Sequence, residues 1–263
     1  MVKIKRGKII TVTSMKGGVG KTINVLTLAT KFKIMHKKVL VIDLDLYNGN
    51  IAFALDKSFK SSIYNLADDI SNNRYTSDNI NDYLIKYDDF IDILPAPKDP
   101  RQASKIEQRV LQTFIKNLSN KYDVILIDTN HILSVTNVIA FEISDYILNI
   151  FTNTAFDLKN TKNFVAVCKN MKVDNLLLML NASVDDKKKT FTIEEIQTVL
   201  EEKINYIIPK SFFIKNIDQY IMDGKIMTII EKILKNNSSE LTEFTNFTLR
   251  LLDDKEGEQN EKK

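Results

Sequence analysis

The chain has 263 residues, 44% of them hydrophobic and 27% charged, with a formal net charge of +3. That is enough apolar material for one large α/β domain, and so mild a positive charge neither demands nor excludes a nucleic-acid partner. The single cysteine, Cys168, excludes an internal disulfide and any two-cysteine metal or iron–sulfur clamp within one chain.

In chain order, strand-length apolar runs alternate with amphipathic stretches. Residues 8–14 read as a strand and lead into a glycine-rich loop. Residues 21–35 read as a helix, with Val25, Leu28, Ala29, Phe32 and Met35 on one face at helical spacing. Residues 39–44 form a second, almost wholly apolar strand, the signature of a strand covered on both faces. Ser61 or Ser62 can cap a short helix to about Ile70, and residues 71–89 are polar and irregular or weakly helical.

Residues 90–94 make a strand that Pro95 ends. Asp99 and Pro100 then suit the cap and first turn of a helix carrying Val110, Leu111, Phe114, Ile115 and Leu118. Further strands are expected at 124–128, 146–151, 176–180 and 206–208, and a helix at 156–171. Thr192 and Glu195 make a capping box for a helix to about Leu200. Helices continue to about Leu252. This alternation predicts an α/β fold of three layers: a mostly parallel, twisted sheet with helices on both faces. Residues 1–252 are expected to form a single domain and 253–263 a charged, disordered tail. No run of about 18 apolar residues exists, so no membrane-spanning helix is expected. With the lone cysteine this fits a reducing, cytoplasmic compartment.

The strongest motif is Ser14-Met15-Lys16-Gly17-Gly18-Val19-Gly20-Lys21-Thr22, set between a strand and a helix. Glycines let successive backbone N–H groups turn toward phosphate oxygens, and the positive end of the following helix faces the same anion. Lys21 would reach the β- and γ-phosphates and the Thr22 hydroxyl would ligate Mg²⁺. The ordinary phosphate-loop pattern wants glycine at the position of Met15. The variant feature is the extra lysine that follows it, Lys16. Downstream, the apolar strand Val124-Ile125-Leu126-Ile127 ends in Asp128, which suits a water-mediated Mg²⁺ ligand opposite Thr22.

The loop KGGVGKT resembles the deviant phosphate loop of the ParA/MinD family of ATPases. The resemblance implies a P-loop fold, ATP and Mg²⁺ as ligands, slow ATP hydrolysis and an ATP-bound homodimer. It implies that Lys16 reaches the partner's phosphates, and that backbone of Gly17, Gly18, Val19 and Gly20 holds the phosphates together with Lys21 and Thr22. Ile23 stands where many members carry a hydroxyl for the α-phosphate. The resemblance assigns Asp43 to the Mg²⁺ shell through water and Asp45 to the attacking water, although Asp45 equally suits a turn with Asn48 and Gly49. Asn181 and Pro209 correspond to the segments that hold adenine. After Asp128, Asn130 and His131 replace the usual prolines; His131 reads as a switch-loop residue with a structural hydrogen bond rather than a general base.

Softer segments resemble the TadZ/CpaE branch, the localisation ATPases of Tad pili and secretion systems. These are Asp43-Leu44-Asp45-Leu46-Tyr47-Asn48-Gly49-Asn50, Leu94-Pro95-Ala96-Pro97, and the stretch from Ile207-Ile208-Pro209 to Asp223-Gly224-Lys225. That branch implies a protein partner in a secretion, pilus or cell-pole complex. The alternative is a ParA-like partition ATPase on non-specific DNA, for which the Lys187–Lys189 run and the cluster at 31–38 offer basic charge, each reading first as a solvated face. A MinD-like membrane helix is disfavoured by the acidic Asp253-Asp254, so the stripe Leu241, Phe244, Thr248 and Leu251 is expected to pack on the core. Iron–sulfur and tyrosine-kinase relatives would need paired cysteines or a C-terminal tyrosine cluster.

Overall fold

The computed structural model describes residues 6–76, 78–183, 191–236 and 238–253. The Lys187–Lys189 run and nearly all of the charged tail lie outside these residues. Eight strands form one sheet in the order β3-β4-β2-β5-β1-β6-β7-β8, parallel except for the antiparallel pair β3/β4. In chain order the strands are β1 (Lys8–Thr13), β2 (Val39–Asp43), β3 (Ile85–Lys86), β4 (Ile91–Leu94), β5 (Val124–Asp128), β6 (Tyr146–Phe151), β7 (Leu176–Asn181) and β8 (Tyr206–Ile208). Every residue of β1, β2 and β5 is buried, as continuous apolar runs in a doubly covered sheet require.

Helix α1 (Lys21–Ile34) follows β1 and packs on the sheet face carrying Ile10, Val12, Val41 and Leu126. Joining it there are α2 (Ile51–Ala54), α8 (Ile217–Met222), α9 (Ile226–Leu234) and α10 (Ser239–Leu252). The other face carries Ile9, Leu40, Ile42 and Ile127 under α3 (Ile63–Ser71), α4 (Gln108–Leu118) and α5 (Val135–Ile143). Beyond them, α6 (Ala155–Asn170) and α7 (Ile193–Leu200) cover β6 and β7 with Leu158, Val165, Ile196 and Leu200. This is the expected three-layer α/β fold.

Local signals behave as their chemistry dictates. Ser62 caps α3 in a capping box with Asn65, and Thr192 caps α7 in one with Glu195. The α10 stripe packs on the core, with Phe244, Thr248 and Leu251 buried. One expectation is corrected. Asp99 and Pro100 do open a helix, but it is a 3-10 turn, Pro100–Lys105, and α4 starts anew at Gln108. Ile106 and Glu107 between them have extended backbone, ψ 117° and 114°, and Ile106 turns into the core. Burying that isoleucine outweighs continuing the helix. Three elements carry too little periodicity to announce themselves: the four-residue α2, the two-residue β3, and α5, which follows the Ser134 cap.

The basic cluster at 31–38 is not one solvated face. Lys31 is buried and its ammonium donates to the Thr245 hydroxyl at 2.7 Å. Lys33 pairs with Asp88 at 2.8 Å and Glu231 at 3.5 Å. His36 is exposed, edge-on to Phe90.

Candidate functional site

The loop between β1 and α1 sits at the carboxyl end of the sheet, beside the ends of β2 and β5 on one side and β6 and β7 on the other. In open α/β sheets this is where ligands bind. Ser14 pins the loop by donating its hydroxyl to the Lys16 carbonyl at 2.8 Å. Gly20 ends the loop at φ 94°, a left-handed backbone that side-chain-bearing residues rarely adopt, and a Cβ there would lie 2.9 Å from the Asn181 amide. Gly18, φ 77°, is exposed and has no heavy atom within 4 Å of where its Cβ would lie. Open space thus adjoins the turned backbone, which is what a phosphate cradle requires. The cap of α1 has no side-chain hydrogen bond and its first turn has no acidic residue, so the helix end remains suited to an anion.

Two buried carboxylates lie below. Asp43 and Asp128 are register partners at the ends of neighbouring parallel strands. Asp128 Oδ2 accepts the Thr22 hydroxyl at 2.7 Å, while its Oδ1 is buried and without a partner among the described residues. Asp43 accepts the amides of Asp45 (3.2 Å) and Ile51 (3.1 Å). Burial raises the Asp43 carboxyl well above the usual carboxylate range, and the charge of Asp128 adds to the shift. Burial likewise raises Asp128, against the Thr22 hydrogen bond and the charge of Lys21. Two adjacent buried carboxylates are costly without a cation.

The Thr22 hydroxyl and the two carboxylates, Asp128 with its Oδ1 free of any partner among the described residues, form a hard, all-oxygen donor set, which fits Mg²⁺. The described residues contain no cluster of three or more His, Cys, Asp or Glu that could cage a metal alone.

The other expected residues lie on the loops and strand ends to either side of the phosphate loop. Asp45 holds a turn, its carboxylate accepting the Asn48 amide at 3.3 Å, which is the turn role foreseen as its alternative. Gly49 lies against Asp43: a Cβ there would be 2.9 Å from Oδ2 and 2.3 Å from the Ala96 Cβ. Ile23 is half-buried against the core. Asn181 and Pro209 come together because Asn181 pairs in register with Ile208. The Asn181 amide is engaged within the chain, donating to the Val19 carbonyl at 2.9 Å and accepting the Ser183 hydroxyl at 2.6 Å. His131 is exposed, its ring 3.9 Å from where a Gly17 Cβ would lie. The Lys16 ammonium lies 3.5 Å from the Thr154 hydroxyl, at the head of α6.

Sequence reasoning missed one organiser of the site. Asn137 is fully buried, and its amide donates to the carbonyls of Asn130 and Ile132 and to the Asn130 side chain, tying down the loop after Asp128. The Ser134 cap, whose hydroxyl accepts the Asn137 amide N–H, was the signal available.

Comparison with known proteins bears on the family and the fold. The sequence profile of the AAA domain family (AAA_31) matches residues 7–183. An uncharacterised ATP-binding protein of Methanocaldococcus jannaschii, MJ0924, is 29% identical over 86% of this chain and 87% of its own length. Among solved structures, a ParA family ATPase from Chlorobium tepidum superposes with a TM-score of 0.78 at 17% identity, covering 92% of this chain and 98% of that one. The septum site-determining protein MinD from Pyrococcus horikoshii, solved with Mg-ADP, gives a TM-score of 0.72 at 22% identity, covering 93% and 96%. The match of 7–183 takes in the strand, the phosphate loop and both aspartate-ended strands, and this chain accordingly belongs to that AAA-domain family, with the fold seen in the ParA and MinD structures.

Proposed function

We propose that the protein is an ATP-dependent dimerisation switch that positions a machine of the cell envelope, of the pilus or secretion kind. The observation that carries the reading is the two-lysine phosphate loop standing over the Asp43–Asp128 pair, with Thr22 bonded to Asp128. Backbone N–H groups of Gly17 to Thr22 and the Lys21 ammonium bind the phosphates of ATP. Thr22, Asp43 and Asp128 would hold Mg²⁺, directly or through water, and the metal supplies charge neutralisation at the β- and γ-phosphates. Asp45 orients the attacking water, and Asn181 with the backbone beside Pro209 borders the base. Phosphoryl transfer of this type depends on placement and charge stabilisation. Lys16 completes the partner's site, so the triphosphate favours the dimer and slow hydrolysis releases it. The output is a change of presented surface, read by a protein partner at a cell pole or the inner face of the membrane.

A partition ATPase on non-specific DNA is the second reading, supported by the likeness in fold to ParA. Burial of Lys31 and pairing of Lys33 remove two cations from the basic face it would use. Light scattering with ATP·Mg²⁺ or ADP, with and without random duplex DNA, separates the readings. A monomer that dimerises in ATP and ignores DNA at moderate salt supports the envelope switch. DNA binding in ATP that weakens steeply with salt supports partition. No ATP-dependent change of mass sinks both.

A further inference from the structure

One buried carboxylate at the mouth of the site takes no part in the phosphate and metal geometry. Asp157 is the third residue of α6 and fully buried. Its Oδ2 accepts both the amide (2.7 Å) and the hydroxyl (2.8 Å) of Thr152. Its Oδ1 has no hydrogen-bond partner among the described residues. A buried anion left partly unsatisfied is costly, and a cation close by is the natural compensation. Lys16 supplies it. Burial raises the Asp157 carboxyl, and the Thr152 bonds and the Lys16 charge act against that rise. Thr154, which caps α6, makes no side-chain capping bond, and its hydroxyl lies 3.5 Å from the Lys16 ammonium instead.

The arrangement holds Lys16 without trapping it. The N-terminus of a 16-residue helix carries partial positive charge and repels an ammonium. Attraction to Asp157 is therefore opposed by the helix end on which Asp157 sits. A negatively charged triphosphate offers the lysine a better partner with no such opposition.

We propose that Thr154 and Asp157 form the resting seat of the Lys16 ammonium in the single chain, and that Asp157 is the positioning residue that sets how readily Lys16 leaves to complete a partner's site. The consequence for dimerisation rests on the cross-chain reading of Lys16; the seat itself does not.

The test is made in two arms on the full chain. In the first, without nucleotide, lysines are acylated and the rate at each is read by peptide mass spectrometry. Asp157→Asn keeps an acceptor for Thr152 but removes the charge, and Thr154→Val removes the hydroxyl. Lys16 labelling is expected to rise about two- to fivefold in Asp157→Asn, the scale on which a half-buried ammonium loses a neighbouring negative charge, with a smaller rise in Thr154→Val. Lys159, Lys162 and Lys169 on α6 should label as in the wild type. Unchanged Lys16 labelling in both variants overturns the seat. An equal rise at the α6 lysines also overturns it, since Asp157 then merely holds the helix. In the second arm, the protein concentration for half-dimerisation in ATP·Mg²⁺ should fall by a similar factor in Asp157→Asn and not in Asp157→Asn combined with Lys16→Ala. If labelling rises as expected while ATP-dependent dimerisation is the same in all variants, Lys16→Ala included, the seat stands and the cross-chain switch falls.

Discussion

Replacing Gly49 with alanine tests whether the second aspartate strand is held for function by tight packing. The added Cβ would lie 2.3 Å from the buried Ala96 Cβ and 2.9 Å from Asp43 Oδ2, distances that packed carbon atoms do not tolerate. Something must move, and the candidates are the turn after β2 or the segment after β4. Overpacking of this kind costs about 1–3 kcal/mol, which lowers the melting temperature of a chain this size by about 2–4 °C per kcal/mol. The larger effect falls on the site. The turn also delivers the Ile51 amide to Asp43 Oδ2 at 3.1 Å, so displacing it disturbs a proposed metal ligand. Mg²⁺-dependent ATP turnover should fall more than the stability loss explains. The closer contact is with Ala96, so Gly49→Ala combined with Ala96→Gly should recover part of the stability lost in Gly49→Ala alone, a favourable coupling readable in a double-mutant cycle. Urea unfolding of the four proteins measures it. Gly49→Ala within about 0.5 kcal/mol of wild type, or no recovery on removing the Ala96 methyl, would refute the packing argument.

Thr22→Val removes the hydroxyl bonded to Asp128; thermal stabilisation by Mg²⁺ added with nucleotide should largely disappear, while the metal-free protein still folds. Asn181→Asp places a carboxylate against the Val19 carbonyl where an amide now donates, so nucleotide affinity measured by calorimetry should drop at least tenfold, the scale of about 1.4 kcal/mol. Asp88 is pushed up by burial but more strongly down by Lys33 and by the amides of Phe90 and Ile91, leaving it below the ordinary aspartate value. A carboxyl depressed in the folded state stabilises above its unfolded value and loses that contribution as pH falls through the folded one. The stability gap between wild type and Asp88→Asn should therefore be largest near neutrality and close in acid, as read by unfolding at several pH values. Cys168 is buried and its thiol is pushed up to about 11, so a thiol reagent should modify it only as fast as the domain opens.

The chemistry of the site was legible where a motif fixes both residue type and spacing. Lys16 to Thr22 follow, and Asp128 ends, an apolar strand whose register is forced by burial on both faces, so their placement at one end of the sheet was readable from the sequence. The strands themselves were legible for the same reason. What escaped was set by tertiary contacts. The break at Ile106 depends on a core pocket that local propensity does not encode. Burial of Lys31 depends on Thr245, more than two hundred residues along the chain. Asn137 and Asp157 are polar residues on helices whose partners lie in loops next to the site, and helical periodicity reads such positions only as gaps in an apolar stripe.

The side-by-side ends of β2 and β5 carry a consequence for the life of the protein in a cell. Two carboxylates in register beside the phosphate loop destabilise the chain while nothing neutralises them. Whatever neutralises that pair stabilises the fold by mass action, by about 2.7 kcal/mol for a ligand at a hundred times its dissociation constant. Proteases act on opened chains, so if the ligand is the metal and nucleotide proposed above, the fraction exposed to them follows their local supply. Abundance and switching would then answer to the same signal: a cell short of energy would hold fewer copies of this protein as well as quieter ones.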